Sequence, residues 1–177
     1  MAGLVHIYWG AGKGKSTAAI GLICRFLGHG KKVLLVQFMK IPQKEFGQYG
    51  EITALNLNKN FVVKQFGSSD WVVKNFLSKS AVLGVVSAFD FLKSVVTSNE
   101  FDLVVADELL YCLNLGLLKE VDVISLIKSK SSSLEFVLTG SHKAHPNIFA
   151  LGDYVTHFEK LKHPFDSGVL ARVCVEY

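Results

Sequence analysis

Residues Trp9-Gly10-Ala11-Gly12-Lys13-Gly14-Lys15-Ser16-Thr17 combine glycines, two lysines and two hydroxyls at a spacing suited to holding a polyphosphate. Glycines let successive backbone N–H groups point inward around an anion without Cβ clashes. Lys15 supplies charge to the phosphates, and the Ser16 hydroxyl can ligate a Mg²⁺ bound to them. The helix expected next adds free N–H groups and the positive end of its dipole. The usual pattern, G-x-x-x-x-G-K-[ST], has glycine where this chain has Trp9; Gly10, Gly12 and Lys13 enrich the loop instead. A second pair, Asp107-Glu108, ends an apolar run. Buried charge is costly unless paired or metal-bound. A metal-orienting carboxylate is therefore expected there, with a capping pair for the next helix as the plainer reading.

Elements must place these residues. A strand is expected over Leu4–Tyr8, with His6 packed within it. A helix follows over Lys15–Leu27, stopped by Gly28 and Gly30. Lys32–Phe38 and Phe101–Ala106 are continuous apolar runs, which indicates strands covered on both faces. Met39–Asn60 reads as a loop with a short helix, and it is a substrate-loop candidate because such loops line the crevice at strand ends. Phe61–Phe66 is a short strand and Gly67–Trp71 a turn, in which Phe66 and Trp71 could simply be core. Helical spacing marks Ser78–Ser98, Leu109–Leu117 and Val121–Lys130. Glu135–Leu138 is a strand leading to the polar turn Thr139-Gly140-Ser141-His142. A short helical turn at Asn147–Leu151 and strands at Tyr154–Phe158 and Arg172–Glu176 complete the chain. Strands alternating with helices predict an α/β protein with a mostly parallel sheet flanked by helices, the last strands being possible antiparallel additions at an edge.

Composition narrows the function classes. The chain has 177 residues, 50% hydrophobic and 19% charged, which suits a single domain over 1–177. The net charge of +4 is dispersed, without a dense Lys/Arg run, so no nucleic-acid partner is expected. No apolar run is long enough to span a bilayer, and no membrane partner is expected. Cys24, Cys112 and Cys174 lie far apart among apolar neighbours and are expected to be buried free thiols in a cytoplasmic protein. No Cys/His cluster has metal-ligand spacing.

Several segments together resemble one family, the corrinoid adenosyltransferases of phosphate-loop type found in bacterial cobalamin synthesis. They are GAGKGKSTAAIGL, LGHGKKVLLVQFMK, FDLVVADELLYCL, FVLTGSH and DYVTHFEKLKHPFDSGVLARVCVEY, and the resemblance covers nearly the whole chain. The altered loop is similar to the family's G-N-G-K-G-K-T-T, so the missing first glycine is a family trait. The K-H-P-F-D-x-G segment is the most discriminating part.

The resemblance implies a RecA-like P-loop NTPase fold, a homodimer, and Mg²⁺ (or Mn²⁺) with ATP as substrate. It implies transfer of the 5′-deoxyadenosyl group to the Co(I) of a reduced corrinoid, with release of triphosphate. An electron donor such as a flavodoxin-like reductant fits that chemistry. By position, Gly10, Ala11, Gly12, Lys13, Gly14, Lys15, Ser16 and Thr17 would bind the triphosphate. Lys13 and Lys15 would neutralise it, Ser16 and Glu108 would hold the metal, and Asp107 would support them. The family also uses an aromatic pair in a G-F-x-W context to push off the corrinoid's lower ligand. Here Trp71 matches, the phenylalanine after Gly67 is absent, and Phe66 is the candidate substitute. Ala11 stands where the family has asparagine, which removes a side-chain contact to the nucleotide. His163 and Asp166 are expected to order the chain or contact a partner, because the chemistry moves no proton. The competing readings are a RecA-like ATPase, for which Thr139 is the nearest water-positioning candidate, and a nucleotide-dependent corrinoid-binding module.

Overall fold

The computed structural model describes residues 2–42, 47–67 and 78–176. The elements run β1 (Val5–Trp9), α1 (Lys15–Gly28), β2 (Val33–Phe38), α2 (Gly50–Leu55), β3 (Phe61–Phe66), α3 (Lys79–Val96), β4 (Leu103–Asp107), α4 (Leu109–Asn114), α5 (Glu120–Ser129), β5 (Glu135–Thr139), α6 (Pro146–Phe149) and β6 (Tyr154–His157). A 3₁₀ turn, Pro164–Ser167, lies beyond β6. The strands form one sheet in the order β3-β2-β4-β5-β1-β6, and every neighbouring pair is parallel.

The continuous apolar runs become the fully buried strands β2 and β4. Side chains alternate between faces along a strand, and each face has its own cover. Leu34, Val36, Val104, Ala106, Phe136 and Leu138 pack against α3, α4 and α5. Val33, Leu35, Leu103, Val105 and Val137 pack against the Ala19, Ile23 and Leu27 stripe of α1, with Ile52 of α2. Ser78 caps α3, its Oγ accepting the Ala81 N–H at 3.2 Å. The α4 helix is shorter than its apolar pattern predicts. Gly116 takes a φ of +73°, and the N–H of Leu117 turns back to the Cys112 carbonyl at 2.9 Å, which ends the helix.

Three expectations fail. The strand β6 is not an antiparallel addition: it pairs parallel with β1, Ile7 opposite Val155. The α6 crossover returns the chain to the end of the sheet where β1 starts, so β6 must run the same way. Arg172–Glu176 is a turn and not a strand. The Glu176 N–H reaches the Arg172 carbonyl at 3.0 Å and the side chains pair at 3.3 Å, so the segment satisfies its backbone groups locally instead of in a sheet. Of the cysteines only Cys112 is buried; Cys24 and Cys174 are exposed. Cys24 sits one residue past Ile23, about 100° round the helix from the buried stripe. His6 is packed as expected, 9% exposed, with Nε2 2.6 Å from Glu135 Oε1 and its ring stacked on Tyr154. No helix among the described residues is long and apolar enough to cross a membrane.

Candidate nucleotide site

The loop between β1 and α1 is pinned from two sides. The Gly10 N–H donates to the Ser141 carbonyl at 2.9 Å, and the Gly12 N–H to the Phe158 carbonyl at 2.7 Å. A Cβ on Gly12 would lie 2.6 Å from the Glu159 carbonyl oxygen, so only glycine allows that approach. Gly14 forms the N-cap of α1 with φ +115°, and no side chain caps the helix. The first-turn N–H groups are therefore left for an anion. Lys15 folds across the loop, its Nζ donating to the carbonyls of Gly10 and Gly12, each at 2.7 Å. Burial lowers the Lys15 pKa, and the nearby Glu108 and Asp107 carboxylates oppose that shift. Ala11, on the loop, and Thr17, in the first turn of α1, are exposed. The indole of Trp9 packs between Phe149 (4.9 Å) and His157 (4.2 Å, stacked). The first position of the usual glycine pattern is thus filled by a strand residue with a packing role.

Asp107, at the end of β4, is buried and accepts four hydrogen bonds from three other elements. Its Oδ1 accepts from Ser16 Oγ (2.8 Å) and Thr139 Oγ1 (2.7 Å); its Oδ2 accepts from Lys40 Nζ (2.7 Å) and Gln37 Nε2 (3.1 Å). Burial alone would raise its pKa, but the Lys40 charge and these donors outweigh burial and hold the carboxyl below its usual range. The sequence reading gave Asp107 only a supporting part. The hydrogen bond from Ser16 places it against the loop's hydroxyl, a position it takes ahead of Glu108.

Glu108 follows in a left-handed backbone conformation, φ +65°, with its N–H donating to Thr139 Oγ1 at 3.0 Å. It stands at the N-cap of α4, yet its side chain makes no cap hydrogen bond, so the capping reading fails. Burial raises its pKa, with Lys40 opposing and Asp107 adding to the rise. Thr139 is fully buried, and its hydroxyl is committed to Asp107 as donor and to Glu108 as acceptor. Its one proton is spent on Asp107 and the residue is fully buried, which sets it apart from a water-positioning group. The Ser16 hydroxyl and the Asp107 and Glu108 carboxylates form an all-oxygen set at the rim of the phosphate loop. That donor chemistry fits a hard divalent cation. No cluster of three or more His, Cys, Asp or Glu side chains suited to a metal occurs among the described residues, so phosphate oxygens would have to complete the coordination.

Strain gathers around this site. Of the non-glycine residues with positive φ, Met39 (+57°), Glu108 (+65°) and Ser141 (+60°) lie just beyond the ends of the adjacent strands β2, β4 and β5. Ser141 is held by a polar cluster, its hydroxyl within 3.0 Å of both Asn114 Oδ1 and His145 Nε2.

The remaining candidates are scattered. Lys13 points to the segment after β6, with Nζ 2.8 Å from the Val175 carbonyl and 3.7 Å from Glu176. Phe66 ends β3 and packs on Phe91 at 5.8 Å; Trp71 lies outside the described residues. His163 Nδ1 accepts the Phe165 N–H, and Asp166 pairs with Lys160 at 2.9 Å, so both order the local chain as expected. Sequence reasoning missed Lys40 and Gln37. The visible signal was Gln37, a polar residue inside an otherwise apolar strand.

A parallel sheet with a glycine loop between β1 and α1, and a β4 carboxylate bonded to the loop serine, defines a phosphate-loop nucleotide-binding protein of RecA-like type. Residues 1–177 match the family described as ATP:corrinoid adenosyltransferase BtuR/CobO/CobP, and the chain belongs to that family. It is 32% identical to the corrinoid adenosyltransferase of Escherichia coli K12 over 99% of this chain and 86% of that protein. The figures are the same for the corrinoid adenosyltransferase CobA of Salmonella typhimurium. An uncharacterized Nostoc protein, all2391, is 31% identical over 93% of this chain, which spans 46% of that longer protein.

Proposed function

We propose that this chain transfers the 5′-deoxyadenosyl group of ATP to the Co(I) of a reduced corrinoid, releasing triphosphate, in adenosylcobalamin biosynthesis or salvage. The observation that carries this reading is the uncapped N-terminus of α1 beside a fully hydrogen-bonded Asp107–Thr139 pair. The site offers a cradle for an anion, and the Thr139 hydroxyl donates its proton to Asp107, away from any water.

Co(I) is itself the nucleophile, so no general base is required. Its electron pair forms the bond to C5′ of the ribose, the C5′–O bond breaks, and that bond's electrons leave with the triphosphate. Cobalt is formally oxidised by two electrons. Residues Gly10 to Thr17 form the cradle: the Gly10 and Gly12 N–H groups anchor the loop, and the remaining N–H groups, with Lys13 and Lys15, hold the anion and take up the charge that develops as it leaves. Lys15 does so by exchanging its bonds to the Gly10 and Gly12 carbonyls for phosphate oxygens. Lys13 does so by leaving the Val175 carbonyl. A Mg²⁺ or Mn²⁺ held by Ser16 and Glu108, with Asp107 orienting Ser16, would supply further positive charge at the phosphates. Aligning cobalt, C5′ and oxygen lowers the barrier by proximity.

The protein acts in this reading as a single-domain, cytoplasmic homodimer. Exposed Leu161, Phe165 and Leu170 beyond β6 support a protein contact there. An electron donor, such as a flavodoxin-like reductant, supplies Co(I). Trp71, with Phe66 as its candidate partner, displaces the corrinoid's lower ligand in this reading; Phe66 packs on Phe91 at 5.8 Å. The test is an anaerobic reaction with ATP, Mg²⁺ and chemically reduced cob(I)alamin, followed by the cobalt spectrum. An adenosylated corrinoid, lost in Lys15→Ala, is the expected result. ADP and phosphate without alkylated corrinoid would refute it.

A further inference from the structure

Lys40 lies just past β2, outside the phosphate loop, and its ammonium is 2.7 Å from Asp107 Oδ2. Its side chain is 22% exposed, so the cation reaches the site from a largely buried stem. Two local features aim it. Met39 takes a φ of +57°, turning the chain at the strand end, and its N–H is fixed to the Phe66 carbonyl at 2.7 Å. Gly67 approaches the Lys40 backbone so closely that a Cβ there would fall 2.8 Å from the Lys40 nitrogen. A bulky residue in a strained conformation and a glycine-only contact together hold one lysine against one carboxylate.

The ionisable groups facing that pair are Lys15 from α1, Glu108 from the β4–α4 junction and Tyr49, whose ring lies 5.9 Å from the Lys40 ammonium. Without Lys40, two carboxylates would face an incoming triphosphate, opposed chiefly by the loop's Lys15. We propose that Lys40 is the resident countercation of Asp107, a positioning residue that keeps the phosphate site receptive to ATP before any divalent metal is bound. This rests on the reading above that the loop takes ATP. In ordinary order of assembly a metal must arrive to offset the carboxylates. Here one of them is already offset by the protein, with Oδ1 left to order Ser16.

The test is ATP affinity by titration calorimetry, in excess Mg²⁺ and in EDTA, for the wild type, Lys40→Met and Lys40→Arg. Loss of the cation leaves Asp107 to repel the phosphates when no metal is present, and Mg²⁺ restores the balance. The Mg²⁺-to-EDTA affinity ratio should therefore rise about tenfold or more in Lys40→Met, a modest Coulomb effect at this range. It should stay near the wild-type value in Lys40→Arg. Because each ratio is taken on one protein, partial unfolding cancels from it. An equal loss in both conditions would overturn the assignment, since it would make Lys40 a general structural or phosphate contact. Failure of the wild type to bind ATP in either condition would overturn the nucleotide site itself, and the role of Lys40 with it.

Discussion

Replacing Thr139 by valine keeps its shape and removes one hydroxyl, and that hydroxyl joins the two carboxylate residues of the site. It donates to Asp107 Oδ1 at 2.7 Å and accepts the Glu108 N–H at 3.0 Å, from a fully buried position. A hydrogen bond to a charged group contributes about 1.5–3 kcal/mol, and orphaning a buried donor costs about 1–3 kcal/mol more. Asp107 retains three other donors and can readjust, so the loss should fall near ~3 kcal/mol. At roughly 2–4 °C per kcal/mol for a protein of this size, the melting temperature should drop by roughly 6–12 °C. The activity effect should exceed the stability effect. The left-handed conformation of Glu108 depends on that N–H contact, and a misplacement on the order of 1 Å at a reacting site can cost about a hundredfold. The assay pairs thermal unfolding with adenosyl transfer at saturating ATP, well below the melting range. Thr139→Ser, which keeps the hydroxyl, should retain most of both properties. If Thr139→Val melts and turns over like the wild type, the hydroxyl bridge is not what holds Glu108, and the reasoning fails.

Gly12→Ala should weaken ATP binding by about tenfold or more, because the new Cβ meets the carbonyl oxygens of Phe158 and Glu159 and forces the loop off its anchor; calorimetric titration checks this. Ser16→Ala should shrink the gain in ATP affinity that Mg²⁺ gives, since it removes the hydroxyl of the metal set, while binding in EDTA changes little. In the native protein a thiol reagent should modify Cys24 and Cys174 and spare Cys112, whose thiol burial pushes well above its usual range; peptide mapping after brief labelling reads the pattern, and equal labelling of all three would contradict the packing of α4.

The sheet was legible because its strands are buried on both faces. Val33–Val36 and Leu103–Ala106 have no polar face, as strands of a parallel sheet covered on both sides require. The loop was legible because its spacing is local. What the sequence could not show is convergence. Ser16, Gln37, Lys40, Asp107 and Thr139 come from four elements, and only the strand order β2-β4-β5-β1 brings them to one carboxylate. The same limit explains why the contact from Ser16 to Asp107 was not legible. Neighbouring carboxylates at a strand end look alike until the backbone turns one of them to φ +65°. The segment after β6 was misread because an apolar alternation such as Val173 and Val175 predicts a strand only when a partner edge is within reach. The family pattern covering the whole chain supplied what residue chemistry alone did not, the corrinoid as the acceptor.

The proposed transfer requires bond cleavage at C5′ of ATP, with the triphosphate leaving intact. It is tested most directly with ATP carrying ¹⁸O at the bridging 5′ oxygen, in an anaerobic reaction with cob(I)alamin and Mg²⁺, followed by mass spectrometry of the products. The label should leave with triphosphate, and the alkylated corrinoid should carry none. Label retained in AMP or ADP, with no inorganic triphosphate formed, would contradict it.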